Sequence, residues 1–109
     1  MPARTLQDYI GVRTRKEVRC AEALVIACAT ESPRAGGAAA VYEWVLAGDS
    51  PAPFTGALHE ELHDLELAVE ERTALRAAHE PGRAADERDF ARGAAGALAW
   101  LLGFTPLSS

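Results

Sequence analysis

Apolar residues recur at helical spacing in four stretches of the chain, and no stretch alternates apolar and polar positions for long enough to mark a strand. The first stretch follows Thr14-Arg15-Lys16-Glu17, a capping box in which hydroxyl and carboxylate each satisfy a backbone N–H of the other residue. Val18, Ala21, Leu24, Val25 and Cys28 then define a buried stripe, predicting a helix from this box to about Thr30 or Glu31. Ser32-Pro33 closes that helix and opens the next, with Ser as N-cap and Pro preorganised for the first turn. The second helix is expected over Pro33 to Ala47, capped by Gly48, and Gly36-Gly37 predicts close helix contact because each glycine is otherwise unfavourable there.

Asp49-Ser50-Pro51-Ala52-Pro53 reads as a stiff connection. Beyond it, Leu58, Leu62, Leu65, Val69, Leu75 and Ala78 predict the longest helix, from about Thr55 to His79, stopped by Pro81-Gly82. A last helix, about Ala84 to Leu102, presents Phe90, Ala94, Ala97, Leu98 and Leu101 before Gly103 and Pro106. Near the N-terminus, Thr5 can cap a short helical turn over Leu6 to Ile10, ended by Gly11 in a left-handed conformation. The expected fold is therefore all-α: one domain over residues 1–109, an orthogonal or up-down bundle of four main helices, with room for a short fifth at the N-terminus.

Two of the helices share a pattern. Gly37-Ala38-Ala39-Ala40-Val41-Tyr42-Glu43-Trp44 and Gly93-Ala94-Ala95-Gly96-Ala97-Leu98-Ala99-Trp100 both read GAAxxxxW, and both lie on small-residue faces that let helices approach closely. Trp44 and Trp100 are large apolar anchors, either for the core or for a partner interface.

Composition adds little to the architecture but narrows the partners. Hydrophobic residues make up 49% and charged residues 25% of the 109, an ordinary globular balance. Ala, Arg and Gly, which have GC-rich codons, are abundant, so a bacterial or phage source is expected. The net charge is -5, and the first 34 residues carry +2 while the remainder carries -7. Such an acidic majority opposes nonspecific nucleic-acid binding and favours a protein partner, a second copy included, since a basic end can pair with an acidic helix. The N-terminus lacks a signal peptide's apolar core and no apolar run approaches the ~20 residues of a membrane span, so a cytoplasmic location is expected. Cys20 and Cys28 lie eight residues apart on the first helical pattern, about 12 Å of rise, too far for a mutual disulfide, and read as reduced core thiols.

Two constellations carry candidate chemistry. His59-Glu60-Glu61-Leu62-His63 satisfies H-E-x-x-H and resembles the signature of zincin metalloproteases. That resemblance implies His59 and His63 as zinc ligands and Glu60 as general base, with Glu66 or Glu70 as a further carboxylate. Glu60-x-x-His63 is also similar to the motif of di-iron helical bundles, which draw further carboxylates from other helices. Against both stands the placement of His59, His63, Glu66 and Glu70 as a polar stripe beside the leucines, ordinary for the wet margin of an amphipathic helix. The second constellation is the basic patch of Arg13, Arg15, Lys16 and Arg19, suited to an acidic partner or to phosphates. The expected function is a non-enzymatic protein–protein interaction module without a cofactor, using Trp44, Trp100 and this basic patch. A zinc-dependent hydrolase at residues 59–63 and a nucleic-acid-binding regulator at residues 13–19 are the competing expectations.

Overall fold

The computed structural model describes residues 8–47, 50–59 and 61–104. It is an all-α bundle of four helices: α1 (Arg15–Ile26), α2 (Pro33–Ala47), α3 (Asp64–Ala78) and α4 (Ala85–Leu102). A small antiparallel hairpin precedes them, β1 (Tyr9–Ile10) and β2 (Arg13–Thr14), pairing Tyr9 with Thr14 and Ile10 with Arg13.

Local signals place three of the helix starts. Thr14 N donates to the Glu17 carboxylate at 2.8 Å and Glu17 N donates to the Thr14 hydroxyl at 3.1 Å, which is the reciprocal cap that starts α1. Ser32 Oγ accepts from Ala35 N at 3.3 Å at the start of α2, whose bounds are those the sequence predicts. Ala84 N donates to Glu87 Oε1 at 3.2 Å before α4, and Gly103 ends that helix in the left-handed region at φ 81°. α1 stops at Ile26, earlier than expected, because residues 27–32 fold into turns in which Cys28 accepts from both Glu31 N and Ser32 N.

The N-terminal and central segments differ from expectation. Thr5 and Leu6 lie outside the described residues, as do Gly48, Glu60 and Pro106. From Asp8 onward the chain forms the hairpin rather than a helical turn. Gly11 is left-handed at φ 64°, as the sequence suggests, but it serves a strand reversal. The reason is tertiary: Val12 N donates to Leu101 O at 2.8 Å, and an added Cβ on Gly11 would lie 2.1 Å from that carbonyl. Ile10 is thereby pressed into the core.

The helix expected over Thr55–His79 is shorter. Residues 52–57 close on themselves through Gly56 N to Ala52 O and Ala52 N to Ala57 O, both 2.9 Å, with Gly56 left-handed at φ 72°. The carboxylate of Glu70, which is buried, accepts from Phe54 N at 2.5 Å and from the Thr55 hydroxyl at 2.8 Å, pinning this loop to α3. The buried side of α3 accordingly runs through Leu67, Glu70, Ala74, Ala77 and Ala78. Leu58, Leu65, Val69 and Leu75 of the predicted stripe are exposed, whereas Leu62 and Ala78 are buried.

Packing runs in the order α1, α2, α4, α3. α2 and the C-terminal half of α4 are apolar nearly all round, as helices enclosed by neighbours must be, while Asp86, Glu87, Arg88, Asp89 and Arg92 charge the first half of α4. They cross at Gly37 and Gly93. A Cβ on Gly37 would lie 1.9 Å from Phe90 O, and one on Gly93 would lie 1.8 Å from Arg34 O. Adding 56 to Arg34 and Gly37 gives Phe90 and Gly93, so exchanging the two helices maps this contact onto itself. The close approach expected near Gly36-Gly37 is thus made by Gly37. Farther along both helices, Tyr42 meets Trp100 edge-on, ring centroids 6.0 Å apart.

Candidate functional site

The histidine motif does not sit on one helical face. α3 begins at Asp64, so His63 is its N-cap and His59 lies in the non-helical segment before it. His63 N donates to Glu66 Oε1 at 2.8 Å, closing the first turn, and its imidazole Nε2 lies 3.2 Å from Glu61 Oε1. The i, i+4 pairing of imidazoles that a helical zinc site needs is therefore absent, and Glu66 and Glu70 are engaged in the backbone contacts described above. Among the described residues, no group of three or more His, Cys, Asp or Glu side chains is placed to hold a metal ion.

The basic patch divides. Arg13 Nε donates to Trp100 O at 2.8 Å, and its guanidinium carbon stands 4.6 Å from the centroid of the Trp100 ring. Arg15 donates to Leu46 O at 3.3 Å. Both arginines therefore cap carbonyls near the ends of the two inner helices, where a cation also meets the negative end of the helix dipole. Lys16 and Arg19 are exposed on α1.

Trp44 and Trp100 are 2% and 7% exposed, so both lie in the core, and a partner touching the folded chain meets other residues first. Cys20 and Cys28 are free and exposed, contrary to the expectation of core thiols. Cys20 falls on the outer side of α1 and Cys28 in the turn beyond it, because the buried side of α1 runs through Val18 and Ala21.

A groove of about 780 Å³ lies over α4, walled by α2 and α3. Its floor is made of small residues, Ala35 and Ala38 from α2 with Gly96 and Ala99 from α4. Arg34, His79 and Arg92 bring cationic or protonatable groups to it, and Glu71 an anionic one. Arg92 also pairs with Asp89 at 2.8 Å. His79 Nδ1 is 2.8 Å from Leu75 O, leaving Nε2 for other contacts. Burial pushes the Tyr42 phenol up to about 12, with Arg13 pulling the other way, so this groove-lining hydroxyl stays a donor at neutral pH.

Sequence reasoning passes over this groove because it is defined by missing side chains. Gly96 stands at one of the four positions where the two GAAxxxxW segments differ, opposite Ala40. No family model matches the chain, and neither does any characterised protein or solved structure.

Proposed function

We propose that the chain is a small, non-enzymatic, cytoplasmic protein–protein interaction module. The observation that carries this reading is the apolar surface left on the outer helices. Leu24 on α1 and Leu65 on α3 are 69% and 70% exposed, and Val69 extends the α3 face one turn further. Leu65 and Val69 lie one turn apart on α3, and exposed apolar side chains grouped in this way mark an interaction surface, while Leu24 stands separately on α1. The groove between α2 and α3 adds a concave region.

Arg13, Arg15, Trp44 and Trp100 serve this module from within, by fixing the inner helices that carry its surface. Lys16 and Arg19 are the cations of the basic patch left for an acidic partner, a second copy of the chain included. No helix among the described residues is long and apolar enough to cross a membrane, which accords with a module that meets its partners in water.

Cross-linking and mass spectrometry in the native host, with light scattering on the purified chain, test the reading. A stoichiometric partner lost in Leu24→Glu or Leu65→Glu, both folded, supports it. Capture unchanged in both variants, or zinc-dependent peptide hydrolysis abolished by His63→Ala, overturns it.

A further inference from the structure

The groove over α4 is open at a place where the rest of that helix is closed. At Gly93 a methyl group would strike backbone, whereas at Gly96 it meets nothing within 4 Å. A helix backbone can therefore approach Gly96 as closely as α2 approaches Gly93. Tyr42 also lines the groove, and its phenol is a donor that an acceptor arriving there can engage.

Charge and length narrow the occupant. Arg34 lies against Gly93, and the packing of Ala77 and Ala78 on Ala91 brings the end of α3 to the same region. Arg34, His79 and Arg92 thus gather at one end of the groove, and with Arg92 already paired to Asp89 it is Arg34 that stands there as the cation, beside His79 as a further polar group. Glu71 lies about 12 Å from His79 along α3, which gives the groove room for two to three helical turns. Within a Debye length the local cations, not the net charge, decide what docks.

We propose that this groove receives a short amphipathic helix of another protein, its apolar side laid on Gly96 and its carboxylates at the end that meets Arg34, His79 and Arg92. The inference rests on the interaction-module reading and gives it a surface and a partner chemistry.

The probe is a synthetic helical peptide with leucines along one face and glutamates at one end, titrated into the isotope-labelled full chain and followed by amide chemical shifts. A matched peptide with lysines in place of the glutamates is the control. The expected result is saturable shifts at Ala35, Ala38, Gly96 and Ala99, with Kd at least tenfold higher for the lysine peptide. Gly96→Trp, which fills the groove, and Arg34→Glu, which reverses its charge, each raise Kd at least tenfold while leaving the melting temperature unchanged. Should the tryptophan variant fail to fold, the exposed Arg34 variant decides alone.

Equal affinity for the two peptides, or no saturable shift at these amides, overturns the proposal. A dimer that Arg34→Glu converts to monomer also overturns it and assigns the groove to a second copy. A host partner lost in Leu65→Glu but retained in Gly96→Trp and Arg34→Glu sinks the groove and leaves the module reading standing. The absence of any partner sinks the module reading itself.

Discussion

The helix pair α1–α2 and the helix pair α3–α4 are alike inside and unlike outside. Residues 56 apart are buried alike: Val18 and Ala74, Ala21 and Ala77, Gly37 and Gly93, Trp44 and Trp100. Other positions of the inner helices differ. Gly36, Ala40 and Glu43 of α2 stand where α4 has Arg92, Gly96 and Ala99. One side carries an acid, and the other carries a cation beside an open small-residue floor. The entries to the outer helices differ as well, since α1 starts from a local cap at Thr14 while α3 follows a loop held by the buried Glu70. The difference teaches that the two halves share their interior packing, and that the groove opens where the small residues of α4 meet α2 and α3.

The likeness is most easily broken at the crossing. Gly37→Ala and Gly93→Ala each force a methyl into a backbone carbonyl, and each should destabilise the fold by about 3 kcal/mol or more in denaturant titrations. The near two-fold contact requires similar losses at both positions. A loss at one with tolerance at the other would show that the halves are not equivalent.

Glu70→Ala tests the feature found only in the second half. It removes the acceptor of Phe54 N and the Thr55 hydroxyl, and should cost about 2–3 kcal/mol. The loop over residues 52–57 should lose its amide protection from hydrogen exchange, while α1 and α2 keep theirs.

Much of the fold was legible because its signals are local. The box at Thr14, the Ser32-Pro33 pair and Gly103 each act within a turn of themselves, so α1, α2 and α4 begin or end where the residues say. The start of α3 was not legible, because the leucines at 58, 62 and 65 keep helical spacing whether or not a loop replaces the helix. What decides is the distant carboxylate of Glu70. The hairpin was hidden for the same reason, being set by the bond from Val12 to Leu101 at the other end of the chain. The site was the least legible part. The histidine motif reads as a metal site only if the helix extends through it, and the groove is made by residues too small to form a pattern.

Tyr42, in the first half, lines the groove that both halves form, and its titration sharpens the comparison. The folded phenol keeps its proton to about pH 12, whereas an unfolded one releases it near 10. The folded state therefore binds more protons in that window, and stability falls as pH rises through it. Moving from pH 8 to pH 11 should cost wild type on the order of 1 kcal/mol more than Tyr42→Phe, read from their denaturation midpoints. Equal losses in the two proteins would place the phenol in water.

The smallest effect expected is a gain. Gly96→Ala adds a methyl with nothing near it and removes glycine's entropic penalty, so it should raise stability by about 0.5–1 kcal/mol. A loss there would mean that the floor of the groove is already covered.

The backbone contact between α2 and α4 underlies both the likeness of the halves and the shape of the groove. A nuclear Overhauser spectrum of the labelled chain tests it most directly. A strong cross-peak between the Hα protons of Gly93 and Arg34 is the predicted result, since the Cβ position of Gly93 is 2.9 Å from the Arg34 Cα. A fully assigned spectrum without that cross-peak would contradict it.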